Sequence, residues 1–171
     1  AFLGTTLGSG QLLDFARDLL AAGLAQARGL QAWPELANAC EHAARELRLA
    51  AAGARREVRG TLKLRWDERA GDAAFAAALA DLAVTCAAAA QALEATSAVS
   101  PDLAKLHDRA VELGARAAQF TQPAADGKVR WIDLTTHQAR LIESPLAIRD
   151  ALHEPIAAAP KACVSTSATL G

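Results

Sequence analysis

"KVRWIDLTTHQARLIESP", residues 128–145, is the stretch on which the fold turns. Most of the sequence before it, back to residue 9, reads as alanine- and leucine-rich helix. Here "KVRWIDL" and "ARLIES" are short runs rich in β-branched, aromatic and leucine residues, separated by the polar link "TTHQ". That arrangement predicts two strands joined as a hairpin. Ser144-Pro145 then breaks the pattern, residues 146–153 predict a short helix, and "KACVSTSATL", residues 161–170, predicts a strand running into polar residues. The expectation is a mainly α chain with a small β component, an antiparallel helical bundle over 9–125 followed by a mixed α/β segment over 126–171. The first eight residues, "AFLGTTLG", look too short and glycine-broken to form an element.

Outward from the hairpin, the helical part divides cleanly. Ser9 is placed to cap a helix whose Leu12, Ala16, Leu19 and Leu20 recur at helical spacing until Gly29. Pro34 suits the first helical position of the next, where Leu36, Cys40, Ala43, Leu47, Ala50 and Ala54 step by four and three. In "VRGTLKLRW", residues 58–66, the period switches to two. Val58, Leu62, Leu64 and Trp66 take one face, and Arg59, Thr61, Lys63 and Arg65 the other, which predicts a half-buried strand with a basic outer side. Asp72 caps a third helix with the stripe Phe75, Leu79, Leu82, Cys86, Ala89 and Leu93. Ser100 and Pro101 open a fourth, with Leu103, Leu106, Ala110, Leu113, Ala117 and Phe120. The short link "ATSAVS" makes these two an antiparallel hairpin, closely packed because the seams hold so much alanine.

Composition narrows the function classes. The 171 residues are 52% hydrophobic but only 4% aromatic, which favours close helix–helix approach over a thick aromatic core. The net charge of −1 gives no global attraction for polyanions, so any nucleic-acid contact must be local. Cys40, Cys86 and Cys163 are odd in number and far apart, which implies neither a zinc ribbon nor a disulfide framework; reduced thiols in a cytoplasmic protein are the expectation. The apolar stretch at 73–93 is mostly alanine and carries Asp81, so a membrane span is not expected. Methionine is absent even at position 1, and the chain is expected to be a piece of a longer protein.

A self-sufficient catalytic site is not evident. "GTTLGSG" lacks the lysine-bearing phosphate-loop pattern, and the four histidines are scattered. His42 and Glu46 lie four apart on one helix without a second histidine to form a metalloprotease motif, so no metal ligands are assigned. Trp33 and Trp131 are expected to serve as core or interdomain packing, and Trp66, opposite the basic residues by alternation, as core.

The end of the chain is different. "TSATL", residues 166–170, at the carboxyl end of a hydrophobic strand, resembles the Ser-Ala-Thr motif of superfamily 2 helicases. In order and spacing, "VRWIDL", "ARLIESPLAIRDAL" and "KACVSTSATLG" resemble the approach to that motif in bacterial DinG/YoaA-type helicases, relatives of XPD. "AFLGTTLGSGQLLDFARDLL", residues 1–20, resembles the stretch after that family's DEAH box, where the chain leaves the motor to build the Arch domain.

This resemblance implies an edge of motor domain 1 at 1–8, an Arch-like helical domain at 9–125, and a return into a RecA-like motor domain at 126–171. It implies a parent that is a five-prime to three-prime, ATP-dependent DNA helicase using ATP and magnesium, with an iron–sulfur cluster in some members. Thr166, Ser167, Ala168 and Thr169 would relay nucleotide state. Single-stranded DNA and the remaining helicase domains would be the partners, and Arg55, Arg56, Arg59, Lys63 and Arg65 the DNA-contacting surface. The lysine loop, the DEAH acids and the second motor domain's arginine motif are missing here, so this chain alone is expected to be inactive. Its cysteine spacings do not match a cluster-binding loop. Without the resemblance, the basic residues read as an ordinary solvated strand edge, "STSATL" as a strand-to-loop turn, and the whole as a non-enzymatic helical-bundle interaction module.

Overall fold

In the computed structural model, which describes residues 4–53 and 59–145, the predicted hairpin forms the centre of a sheet. Strands β3 (Lys128–Leu134) and β4 (Ala139–Pro145) pair antiparallel, with Leu134 opposite Ala139 and Lys128 opposite Pro145. Their turn is closed locally: the Thr135 N–H donates to the Gln138 carbonyl at 2.8 Å, and the Gln138 N–H donates to Thr135 Oγ1 at 3.1 Å. Strand β2 (Leu62–Arg65) lies along β3, and β1 (Thr5–Gly8) along β4, giving the order β1-β4-β3-β2 with every pair antiparallel.

β1 corrects the expectation that the first eight residues form no element. A strand this short cannot nucleate alone, but β4 presents an edge already fixed by the hairpin. Adding to it, Leu7 falls opposite Leu141 and becomes fully buried. β2 is shorter than the predicted strand. Trp66 leaves the ladder in an αR conformation and opens the single-turn helix α3 (Asp67–Ala70).

The helices follow their sequence signals, with one exchange of roles. Helix α1 (Ser9–Gln26) is preceded by Gly8 as its cap residue, not by Ser9. Ser9 lies inside the helix, where its buried hydroxyl accepts the N–H of Ala139 at 3.0 Å, and Gln11 Oε1 takes the capping role by accepting the Gly8 N–H at 3.0 Å. β1 runs straight into α1, so the serine meets the start of β4 before it can fold back on its own helix. The helix also stops at Gln26, ahead of Gly29, which sits at φ 84° in the following turn.

Helix α2 (Trp33–Ala52) has Pro34 in its first turn. For α4 (Ala73–Thr96), Asp72 Oδ1 accepts the Ala74 N–H at 2.9 Å; for α5 (Pro101–Thr121), Ser100 Oγ accepts the Leu103 N–H at 3.2 Å. All six residues of each predicted stripe, Phe75 to Leu93 and Leu103 to Phe120, are buried. Helix accounts for 64% of the structure and the small antiparallel sheet supplies the β part, as the sequence predicted at that level.

One core joins these layers. Leu7, Leu64, Ile132, Leu134 and Leu141 from one sheet face cluster with the apolar seams of α1, α2, α4 and α5. At its α1–α2 end, Trp33 is fully buried and its Nε1 donates to the Ala27 carbonyl at 2.9 Å. Gly23 lies against the face of that indole, so a Cβ there would collide with the ring. Gly23→Ala is therefore expected to destabilise the protein by about 1–3 kcal/mol through overpacking, outweighing a helix-propensity gain of about 1 kcal/mol. Thermal unfolding checks this; an unchanged or higher midpoint would contradict the packing described.

Candidate nucleic-acid interface

The hairpin register gives the sheet two chemically different faces. Arg130 is opposite Glu143, and both point to the helices with side chains only 2% and 3% exposed. Arg130 Nε donates to Glu143 Oε2 at 2.7 Å, and Gln119 Nε2 donates to Oε1 at 2.6 Å. The other guanidinium nitrogens donate to the carbonyls of Gln122 at 2.6 Å and Gln119 at 3.1 Å. These carbonyls lie at the end of α5, where a cation also complements the helix dipole. The guanidinium lies 5.2 Å from the ring centroids of both Trp66 and Phe120. This cluster is a satisfied structural joint and offers no open site.

The opposite face is exposed and basic near β2. Lys63 and Arg65 are solvent-exposed on β2, and Arg59, just ahead of the strand, is exposed too. Period-two spacing puts the strand's successive outward positions about 7 Å apart. Across the ladder, Arg65 is opposite Trp131 and Lys63 opposite Asp133, and on the far side Asp133 is opposite the exposed Arg140. Lys63 Nζ stands 5.1 Å from the centroid of the Trp131 ring. The Arg65 backbone N–H is held by Glu68 Oε2 at 3.0 Å, which fixes the strand's exit.

The structure thus brings Lys63 and Arg65 together, with Arg59 leading into them. Arg55 and Arg56 lie outside the described residues, as do Thr166, Ser167, Ala168 and Thr169. Trp131 and Arg140 were not assigned to this face from sequence. Their signal was available in the hairpin: closing it over a four-residue link fixes which residues share a side. Trp33 and Trp66 are packed as expected, Trp66 at 5.4 Å from Phe75 and 5.6 Å from Phe120 between centroids. Trp131 is instead half-buried on the face away from the helices.

Other candidates have simpler readings. His42 and Glu46 are both exposed on α2, and among the described residues no group of three or more histidine, cysteine or acidic residues is arranged to hold a metal ion. Helix α4 is long and apolar enough to cross a membrane by length and composition, with a mean hydropathy of 1.8, and its Phe75–Leu93 stripe packs into the core. Cys40 and Cys86 are free and buried. Burial pushes the Cys40 thiol up to about 11, with a smaller contribution from Glu41. Burial pushes Cys86 up to about 12, and Cys40 adds to the effect.

Comparison with family models, with curated proteins and with solved structures finds no match for this chain. Among the described residues, fold and site together define a helical protein on a four-stranded antiparallel sheet whose face away from the helices carries exposed basic side chains beside a half-buried tryptophan.

The thiols give a direct test of the core. Because thiolate is the reactive form, Cys40 and Cys86 are expected to resist a maleimide at pH 8 in the folded chain and to react fully in denaturant, as mapped by peptide mass. Their raised pKa values also fix a sign: relative to the ordinary 9.0, their contribution to stability is complete below pH 9 and is lost as pH climbs towards 11 and 12. Rapid labelling of either thiol in the native chain would contradict the burial.

Proposed function

We propose that this chain is a piece of an ATP-dependent DNA helicase of the DinG/XPD type and serves to guide single-stranded DNA. In this reading residues 9–125 are an Arch-like insertion, and 1–8 and 126–171 are edges of a RecA-like motor domain. The resemblance of "VRWIDL", "ARLIESPLAIRDAL" and "TSATL" to that family carries the helicase assignment, and the exposed pair Lys63 and Arg65 on a short strand, with Arg59 ahead of them, supports the DNA-guiding role. Their spacing of about 7 Å is comparable to that of phosphates along a single strand. Thr166, Ser167, Ala168 and Thr169 would relay nucleotide state to the DNA. ATP, magnesium and any iron–sulfur cluster would be held by parts of the parent outside this chain.

A non-enzymatic interaction module is the second reading. Val84, 69% exposed on the outward side of α4 among alanines, is the observation that favours it. The reading frame of the parent separates the two: a lysine phosphate loop and a DEAH box upstream of residue 1 support the helicase, and their absence overturns it.

The basic face has its own test. The chain should bind single-stranded oligonucleotides weakly at low salt. Combined Arg59→Glu, Lys63→Glu and Arg65→Glu should weaken binding and reduce the log–log salt slope by about 2, since each lost phosphate contact removes about 0.7. Fluorescence anisotropy across a salt series checks this, and equal affinity and slope for the variant would remove these residues from the DNA path.

A further inference from the structure

We infer that Trp131 is a stacking platform for a base of single-stranded DNA, with Lys63, Arg65 and Arg140 around it to meet phosphates. The inference rests on the preceding reading for its ligand class and adds a base-contacting residue to it. The register places Trp131 on the face turned away from the helices, with the exposed Arg65 opposite on one side and the buried Ile142 on the other, and Asp133 two residues along between Lys63 and Arg140. Unlike Trp33, it is only half-buried, and a cation, Lys63 Nζ, stands 5.1 Å from its ring centroid.

Two polar atoms on this face are excluded from solvent and have no hydrogen-bond partner among the described residues: Trp131 Nε1, a donor, and Asp133 Oδ1, an acceptor. Leaving such an atom unpaired costs stability until a partner is found, and the sheet holds both in place. Nucleobases supply what the pair lacks. The flat face of one base stacks on the indole; the indole N–H lies in the ring plane, so it and the carboxylate would be met by the edge of a neighbouring base, which carries both a carbonyl and a ring or amino N–H. Only an unpaired strand exposes a base in this way, and its phosphates then run past the three cations.

Titrating the 171-residue chain with an oligothymidylate of about 12 nucleotides, read by tryptophan emission, tests the inference. Quenching is expected, and should vanish in Trp131→Phe while most of the affinity remains, because a ring is kept. Trp131→Ala should weaken binding about 5- to 100-fold at an unchanged salt slope, with circular dichroism confirming the fold of both variants. If Trp131→Ala binds as tightly as the parent chain while the triple charge reversal does not, the inference is wrong and the helicase reading stands. If no oligonucleotide quenches the emission but the remainder of the parent protein does, the face docks protein and the inference is again wrong. The parent reading frame tests the helicase assignment separately.

Discussion

The pairing of Arg130 with Glu143 is the constraint on which the arrangement of layers depends. It draws four segments to one point: β3 and β4 through the pair itself, the end of α5 through the carbonyls of Gln119 and Gln122, and the start of α3 through the Trp66 ring. Burying two ions is costly unless each lone pair and N–H is answered. Here both carboxylate oxygens have donors, with Lys128 Nζ a further 3.7 Å away, and all the named guanidinium contacts end on oxygen or an aromatic face. Geometry of this kind fixes one orientation of sheet against helix, because any slip of register would leave a charge unpaired in the core.

That constraint also determines what the other face can do. Strand residues alternate, so committing Arg130, Ile132 and Leu134 to the helices commits Trp131 and Asp133 to the side away from them. β2 then has one register available to it, which aligns Lys63 and Arg65 beside them. The basic and aromatic surface is therefore a consequence of the buried pair and not an independent feature. A second tie supports it from α2: Arg48 donates to the carbonyls of Thr135 and Thr136 at 2.7 and 3.0 Å, holding the hairpin turn against the bundle. Burial lowers the pKa of that guanidinium, in keeping with its position at the joint.

The helices were legible because their signals are local. Periodicity gave six of the nine buried positions of α4, missing Ala78, Ala92 and Thr96, and all six of α5, while Asp72, Ser100 and Pro34 marked helix starts through chemistry within three residues. β1 was not legible, because a strand of four residues exists only against an edge that the rest of the chain supplies. Ser9 was misassigned as a cap for the same reason: its partner, Ala139, is 130 residues away. Among the site residues, Lys63 and Arg65 were visible from alternation within one strand. The placement of Trp131 and the pairing of Arg130 with Glu143 required the register between two strands, which a pass along the chain did not enumerate.

A double-mutant cycle on Arg130→Met and Glu143→Leu, read by denaturant unfolding, tests this account most directly. Each single change should cost about 3–5 kcal/mol, because it strands the other charge in the core. The double variant should cost well under their sum, leaving a coupling of about 2–3 kcal/mol. Small single effects that add within about 0.5 kcal/mol would mean that the pair does not hold sheet and helices together, and the account would be wrong at its centre.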